Sequence, residues 1–319
     1  MNPKIQSVPP FALKPAELSL QLRNFNLATG LLMLGFAIPL WQLISFALNS
    51  ELYSFILLIP FISWYLVWTK REKVSPTPLN NGRMTAGFFT GGTVVLLVYW
   101  LVLRSHLKRA EDEYLAVMVV ALLLLFYGVC SRFLGSPFLR ENVFPLSFLL
   151  FMVPIPAVAV SRIDAFLQGG SAVIAGGFFT LAGTSYLQDG LVFQLPGITF
   201  KIAPECSGIH SSLILLVTSL LAGYFFLSKP WKRAVFILAV IPLGIFRNGF
   251  RIFTIGELCV HVSPRMIDSP IHHKGGPLFF ALSLIPLFIL LIVLQKSERR
   301  RVNICPEDKK LTKPNVFHG

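Results

Sequence analysis

The chain has 319 residues, of which 54% are hydrophobic and only 13% are charged, and its mean hydropathy is +0.69. These values exclude an ordinary soluble domain and indicate an integral membrane protein. The net charge of +13 does not indicate nucleic-acid binding, because no basic stripe interleaved with aromatic residues lies outside the apolar segments. We therefore expect membrane lipid, and no nucleic acid, as a partner.

The first apolar run follows a basic segment with several prolines, and no small-residue cleavage site comes after it. This pattern predicts a retained first span rather than a removed signal peptide. Eight apolar segments are long enough, or nearly so, to cross about 30 Å of hydrocarbon as helices. The sequence therefore predicts an all-α polytopic membrane protein with about eight transmembrane helices, at residues 28–49, 52–69, 85–103, 115–131, 143–160, 207–227, 234–256 and 277–295.

The segment 162–184 differs in character from the predicted spans around it. It combines Arg162, Asp164 and Gln168 with glycines at 169, 170, 176 and 177 and with apolar residues between them. Polar and charged side chains are costly in hydrocarbon, and glycine is a poor helix former. The composition therefore favours an interfacial or re-entrant helix over a full span.

A second unusual segment precedes the sixth predicted span. Residues 189–203 alternate apolar and polar side chains around the dipeptide Pro196-Gly197. Alternation of this kind on both sides of a turn signal is typical of a β-hairpin. We therefore expect a small extracytoplasmic β-hairpin that leads directly to Cys206.

The distribution of basic residues predicts the orientation of the spans. With the N-terminus inside, 19 of the 28 Lys and Arg residues fall in predicted cytoplasmic segments, as the positive-inside rule requires. Both termini are then cytoplasmic. The prediction divides the chain into a cytoplasmic N-terminal segment at 1–27, a single transmembrane domain at 28–295 and a basic cytoplasmic tail at 296–319.

Cys206 lies in a short run of small and polar residues directly before the sixth predicted span. Only a thiolate is a useful nucleophile, and a helix N-terminus favours the thiolate through its unpaired amides and partial positive charge. Ser207 and Gly208 keep bulk away from the thiol, and Glu205 precedes it. The ring of His210 could touch the thiol or merely pack. The pattern favours a nucleophile for an acyl carbonyl.

Two further groups of reactive residues are predicted to lie on the same face of the membrane as Cys206. Arg251, in the run 248–251, places a guanidinium within a span, where charge is costly and usually functional. It could stabilise the oxyanion of an acyl transfer, and Arg247 offers a second guanidinium one helical turn away. His272 or His273, just before the eighth predicted span, could supply acid and base steps near neutral pH.

Each of these groups also has a structural interpretation. Arg247 and Arg251 could be snorkelling topology anchors, and the histidine pair could be only a polar turn. A cysteine at a membrane edge is more often inert than catalytic. We assign the remaining thiols to that inert class: Cys130, Cys259 and Cys305.

Two other interpretations stay open from the residues alone. Cys206 and Cys259 could form an external disulfide. His261, Glu257, Asp268 and the histidine pair could hold a metal, although no HExxH or similar spacing supports one. The joint occurrence of thiol, guanidinium and imidazole on one face favours the catalytic interpretation. We expect no cofactor and no metal.

At these residues the chain resembles the exosortase/archaeosortase family of polytopic membrane cysteine transpeptidases. The family pattern is Cys-Ser-Gly at a helix start, Asn-x-x-Arg one span later, and a His followed four residues on by Gly and then by Phe. Here the pattern is met by Cys206-Ser207-Gly208, by Asn248-Gly-Phe-Arg251 and by His272-His-Lys-Gly-Gly276 with Phe280. The resemblance is sharp over about 185–285.

The resemblance implies an activity and a class of partner. Substrates of such enzymes carry a C-terminal signal made of a Pro-Glu-Pro-like motif, a transmembrane helix and a basic cluster. Cys206 would attack a backbone carbonyl at that motif, and the thioacyl enzyme would pass the protein to an acceptor linked to the cell envelope or exopolysaccharide. Arg251 would stabilise the oxyanion. His272 would shuttle protons, because it has the four-residue spacing to Gly276.

The sequence therefore predicts a membrane cysteine protease and transpeptidase with an extracytoplasmic active site, in the inner membrane of a prokaryote. Supporting roles are expected for Glu205, Ser207, Gly208, Arg247, Asn248 and Gly276. A transporter or exopolysaccharide assembly factor without covalent catalysis is the alternative. In that case intramembrane charge would line a path, and the Cys206 thiol would be dispensable.

Overall fold

The computed structural model describes residues 15–70, 82–103, 111–203, 208–268 and 276–303. The α-helices are α1 Pro15–Gly35, α2 Ala37–Asn49, α3 Ile59–Lys70, α4 Gly82–Val98, α5 Glu111–Phe133, α6 Gly135–Glu141, α7 Val143–Phe148, α8 Ala157–Ala182, α9 Ile209–Phe226, α10 Pro230–Leu238, α11 Val240–His261 and α12 Gly276–Asn303. Short 3-10 helices cover Ser54–Leu58, Leu149–Met152 and Pro264–Asp268, and a π-helical turn covers Tyr99–Leu103. The strands are β1 Leu187–Asp189, β2 Val192–Leu195 and β3 Ile198–Lys201.

The helical membrane architecture is confirmed, but the count of eight spans is not. Among the described residues, six helices are long and apolar enough to cross a membrane, or seven if the bent pair α1 and α2 is one span. The six are Gly82–Leu101, Asp112–Phe133, Ala157–Ala182, Ile209–Phe226, Pro230–His261 and Leu278–Glu298. Two shorter apolar helices, Ser54–Lys70 and Val143–Met152, fall below that length.

The fifth predicted span, 143–160, is not one helix. The chain leaves helical structure after Met152, and α8 begins at Ala157. Pro154 and Pro156 lie between them, and each lacks an amide hydrogen and disfavours helical geometry in the residue before it. The high hydropathy of 143–160 therefore comes from two helical segments that are separated by a stretch containing two prolines.

The segment 162–184, predicted as an interfacial or re-entrant helix, also meets the length and hydropathy limits for a span. It belongs to α8, which is a continuous helix of 26 residues and is apolar enough to span a membrane. Arg162 is exposed, whereas Gln168 is buried. The polar residues lowered the local hydropathy, but they occupy positions in the first half of a helix whose second half is apolar.

The first predicted span contains a sharp bend. Helices α1 and α2 meet at an angle of 68° with only Phe36 between them. Helix α1 also begins at Pro15, so the predicted N-terminal segment 1–27 is partly helical. The described structure therefore has a broken span or a re-entrant pair where one straight helix at 28–49 was predicted.

The chain divides into two compact units, residues 1–160 and 161–319. In the first unit, α4 and α5 lie in close contact, since a Cβ on Gly92 would be 2.8 Å from the side chain of Leu125. The core where α1, α2 and α5 meet contains Phe36, Met118, Ala121 and Leu122.

In the second unit, α8 and α11 run parallel to each other. Ser171 contacts Asn248, and eight residues further along α8 Phe179 lies against Gly256. Helix α9 is antiparallel to α11, because Gly208 faces Arg247 while Ser212 faces Gly244. These directions place the start of α9 near the middle of α11.

Helix α12 is also antiparallel to α11. Near its start, Phe279 contacts Phe250, and near its end the carbonyl of Leu294 accepts a hydrogen bond from Lys232 of α10. The helices α9 to α12 enclose an apolar core of Leu215, Leu227, Phe236, Val240, Leu287, Leu291 and Leu294. The starts of α9 and α12 therefore meet α11 at one level, which is the level of residues 247–251.

The three strands form one antiparallel sheet in chain order. The predicted hairpin is confirmed as β2 and β3, which pair Leu195 with Ile198 across Pro196-Gly197, and Gly197 has a φ of 83°. Strand β1 adds a third strand that was not predicted. The sheet packs on the second halves of α8 and α11 through a core of Ala172, Ala175, Phe179, Phe193, Leu195, Ile202 and Ile252.

Candidate active site

Helix α9 begins with a glycine in a left-handed conformation. Gly208, the N-cap residue, has a φ of 73° and a ψ of 16°. A Cβ at this position would lie 3.0 Å from Nη2 of Arg247 and 3.3 Å from Oδ1 of Asn248. Glycine suits this position best, because L-residues rarely adopt a positive φ and an added Cβ would push against the ends of the Arg247 and Asn248 side chains.

Arg247 joins α11 to the start of α9. Its side chain is only 6% exposed, and its Nη2 donates a hydrogen bond of 3.3 Å to the carbonyl of Gly208. Its Nη1 is buried and has no hydrogen-bond partner within the described part of the chain. A guanidinium buried in a span is costly, so hydrophobic packing alone does not explain an arginine at this position.

Asn248 connects α11 to α8. The residue is 2% exposed, and its Nδ2 donates a hydrogen bond of 3.1 Å to the hydroxyl of Ser171. The other side of the amide faces Gly208. Asn248 therefore fixes the distance between α8 and the start of α9. The sequence predicted a role for Asn248 but missed Ser171, whose only signal was its position after Gly169 and Gly170 in a run of small residues.

Gly249 allows α8 and α11 to approach closely at this level. A Cβ there would lie 2.6 Å from the side chain of Ile174 and 3.0 Å from the carbonyl of Ser171. Small residues let helix backbones come together in membranes. The glycine within the Asn248-to-Arg251 run is thus required by packing, and it supports the Asn248 hydrogen bond.

Arg251 lies one helical turn beyond Arg247 on α11 and is half-buried. Two guanidinium groups therefore lie at neighbouring turns of one helix, where like charges repel. The ring of Phe250, between Asn248 and Arg251, contacts Phe279 of α12 with the centroids 6.3 Å apart. This contact places the start of α12 beside the arginine-bearing turn.

The remaining predicted site residues divide into those described and those outside the description. Gly276 begins α12, and a Cβ there would meet no atom within 4 Å, so packing does not require glycine at this position. His210 is half-buried, and its Nδ1 has no partner among the described residues. The following lie outside the described residues: Glu205, Cys206, Ser207, His272 and His273.

A second polar group lies near the end of α11, about 15 Å along the helix from Arg247. Glu257 accepts a hydrogen bond of 2.5 Å from the hydroxyl of Thr184 and lies 3.0 Å from Nε2 of His261. The described residues contain no group of three His, Cys, Asp or Glu side chains that could hold a metal ion. Cys259, on the same helix, is buried.

Comparison with curated proteins and with solved structures gives no match. A family model described as transmembrane exosortase matches residues 47–289, which is about three quarters of the chain. The match includes the arginine-bearing turn of α11 and the starts of α9 and α12. It agrees with the several helices of the structure that are apolar and long enough to span a membrane. The chain is an integral membrane protein and belongs to the transmembrane exosortase family.

Proposed function

We propose that this protein is a membrane-embedded cysteine protease and transpeptidase that uses Cys206 as nucleophile. Arg251 stabilises the oxyanion, and His272 acts as general acid and base, with His273 as the alternative. The observation that carries the proposal is the meeting of three helices at the turn 247–251. There the carbonyl of Gly208 accepts from Arg247, and Phe279 of α12 contacts Phe250.

Chain connectivity limits how far the proposed catalytic groups can lie from this turn. Cys206 is two residues from Gly208, and two extended residues span at most about 7 Å. His272 is four residues from Gly276, which corresponds to at most about 14 Å. The thiol and the imidazole are therefore attached to the two helix ends that flank the arginines.

The chemistry follows from these roles. The Cys206 thiolate attacks a backbone carbonyl carbon of the substrate, and the negative charge that develops on its oxygen is stabilised by the Arg251 guanidinium. The protonated histidine donates its proton to the departing amine, the C–N bond breaks and a thioester remains. An acceptor nucleophile, or water, then attacks the thioester while the histidine takes its proton, and the Cys206 thiolate leaves.

The supporting residues position these groups. Gly208 and Arg247 fix the start of α9, and Asn248 fixes the spacing between α8 and α11. Glu205 and Ser207 flank the nucleophile in the sequence. Gly276 begins the helix that follows the histidines.

The proposed substrates are exported proteins with a C-terminal signal of a Pro-Glu-Pro-like motif, a transmembrane helix and a basic cluster. The acceptor belongs to the cell envelope and could be linked to exopolysaccharide. The site faces the extracytoplasmic side of the inner membrane, with both termini cytoplasmic. In this proposal 28–295 is one catalytic domain between an N-terminal segment at 1–27 and a tail at 296–319.

The test is the processing of a tagged substrate by the Cys206→Ala variant in membranes. We expect the variant to fold and insert but to leave the substrate uncleaved, because alanine has no thiol to form the thioester. Cys130→Ala, at a buried thiol of α5, is the matched control and should keep processing. Continued cleavage by Cys206→Ala would exclude the thiol mechanism and favour a transporter or assembly factor.

A further inference from the structure

Strand β3 forms one edge of the three-stranded sheet. The strands lie in the order β1-β2-β3, so among the described residues no strand pairs with β3 on the side away from β2. Thr199 and Lys201 have exposed side chains, whereas Ile198 and Phe200 pack against the core beneath the sheet. An edge strand carries backbone donors and acceptors that can pair with another extended chain. Within the described structure, β3 therefore has an edge that is open to such a chain.

The pairing register shows which backbone groups of β3 face outwards. The amide of Ile202, directly after β3, donates a hydrogen bond of 2.9 Å to the carbonyl of Leu191. In an antiparallel ladder every second residue bonds to the neighbouring strand, so the even-numbered residues of 198–202 bond to β2. The N–H and C=O groups of Thr199 and Lys201 therefore point away from β2. No other described segment forms a backbone hydrogen bond with them.

The two edges of the sheet differ in what lies beside them. Strand β1 lies against α8, since a Cβ on Gly176 would be 3.0 Å from Oε1 of Gln188. At the end of β3, Ile202 belongs to the same core as Ile252, the residue that follows Arg251 on α11. Of the two edge strands, β3 is therefore the one whose chain continues towards the arginine-bearing turn.

Chain connectivity also links β3 to the proposed nucleophile. Ala203 is the last described residue after β3, and Cys206 follows three positions later. Three extended residues span at most about 11 Å. On the other side, Cys206 is two residues from Gly208 at the start of α9. A peptide that pairs along β3 is therefore held close to the proposed nucleophile.

We propose that the outer edge of β3 binds the substrate segment that contains the scissile bond, as an added β-strand. This inference rests on the proposed function and concerns how the main chain of the substrate is held. The outward N–H and C=O groups of Thr199 and Lys201 form up to four hydrogen bonds with two alternate residues of the peptide. Such pairing fixes the position of the carbonyl carbon that the thiolate attacks. It also accepts prolines wherever their missing N–H faces away from β3.

The size of the edge favours a peptide over a second copy of this chain. Thr199 and Lys201 are about 7 Å apart along the strand, which suits a segment of about three residues. A contact of this size is far smaller than the interface of a stable dimer. It suffices for the proposed substrate, because a transmembrane helix in the same membrane already holds that peptide at a high effective concentration.

The first experiment measures disulfide cross-linking to a peptide with a Pro-Glu-Pro-like motif, an apolar helix and a basic cluster. The whole chain carries Cys206→Ala and Lys201→Cys in detergent micelles, and each peptide carries one cysteine at a successive position. Side chains of a strand alternate between its two faces, so we expect cross-links at every second peptide position. The positions between should give only the yield of the chain without Lys201→Cys.

Asp189→Cys is the matched control for cross-linking. Asp189 and Lys201 both pair with Val192, so they lie in one row at opposite edges of the sheet. The control should show no alternation. Equal cross-linking at all peptide positions, or the same pattern from both edges, would overturn the proposal. Disulfide-linked dimers of the Lys201→Cys chain that persist when peptide is added would assign the edge to a second copy and would also overturn it.

The second experiment removes one outward N–H group. Thr199→Pro lacks an amide hydrogen that points away from β2, so the pairing of β3 with β2 is kept. Binding of the labelled peptide should weaken by about 2- to 10-fold, which corresponds to one hydrogen bond. Gln188→Pro is the matched control, because the same alternation places its N–H on the outer edge of β1. Unchanged binding by a folded Thr199→Pro variant would contradict the proposal.

Cleavage of the same peptide by the chain with Cys206 intact separates this inference from the proposed function. Cleavage without alternating cross-links rejects only the added strand. Alternating cross-links without cleavage reject only the catalytic mechanism. The absence of both rejects both.

Discussion

The two ends of the bundle α9 to α12 use charged residues differently. At one end, Lys232 is buried and its Nζ donates to the carbonyl of Leu294 at 2.9 Å, while Arg233 donates to Leu227 at 2.7 Å. Glu298 of α12 accepts hydrogen bonds of 3.0 Å from the amides of Ser228 and Lys229 at the start of α10. At this end, the hydrogen bonds of charged side chains connect one helix to the next.

At the other end, buried polar atoms are left without such partners. Nη1 of Arg247, Nδ1 of His210 and Oγ of Ser212 are buried and have no hydrogen-bond partner among the described residues. Unsatisfied buried groups lower stability and are retained where a ligand or a reaction uses them. At one end, charged side chains stabilise the contacts between helices, whereas at the other end several buried polar atoms have no partner among the described residues, and this is the end at which we propose the active site.

The largest expected effect is on activity at the arginine-bearing turn. Arg251→Lys should lower the rate of substrate cleavage by about 100-fold or more, because an ammonium cannot reproduce the planar donor geometry at the oxyanion. The melting temperature in detergent should change little. A variant that cleaves at the parent rate would show that Arg251 is only a topology anchor.

A smaller effect, on both stability and activity, is expected at the start of α9. Gly208→Ala should lower the free energy of unfolding by about 1–2 kcal/mol through its left-handed φ. It should also slow cleavage, because its methyl would displace Arg247. Thermal unfolding by circular dichroism and a cleavage assay give the two quantities.

The Gly190→Ala variant separates the effect of a positive φ from the effect of a contact with Arg247. Gly190 has a φ of 57°, but open space surrounds the position of an added Cβ. This variant should lose stability while keeping the parent cleavage rate. If both alanine variants slow cleavage equally, the contact of Gly208 with Arg247 does not matter for activity.

The smallest effect is expected at the opposite end. Glu298→Ala removes the acceptor for two amides at the start of α10 and should lower the free energy of unfolding by about 0.5–1 kcal/mol, discounted for its solvent exposure. Glu298→Gln keeps an acceptor oxygen and should lose less. Cleavage rates should stay at the parent value in both. A larger loss of activity than of stability would show that the two ends are coupled.

The sequence predicted the elements whose signals are local. Hydropathy located most of the long helices, and alternation around Pro196-Gly197 predicted the hairpin. The predictions that failed were those in which hydropathy, averaged over a segment, does not show a break or the full length of a helix. Prolines broke the segment 143–160, and a few polar residues in the first half of α8 hid the fact that this 26-residue helix is long and apolar enough to span a membrane.

Contacts between distant segments could not be predicted in this way. Ser171 is 77 positions from Asn248, and nothing in its own neighbourhood indicates the hydrogen bond between them. The same holds for Thr184 and Glu257, which are 73 positions apart. Such pairs depend on which faces of two helices meet, and this requires the packing of the whole unit.

By itself, the sequence determined the membrane character, the family resemblance and the residue types that could attack an acyl carbonyl, because composition and short motifs are encoded locally. Only the tertiary structure decided that α8 and α11 run parallel, and that α9 and α12 both begin at the level of residues 247–251. It also showed that Arg247 is buried and that, among the described residues, its Nη1 has no hydrogen-bond partner. The physical reason is that burial and hydrogen-bond satisfaction belong to the packed helices together and not to any single segment.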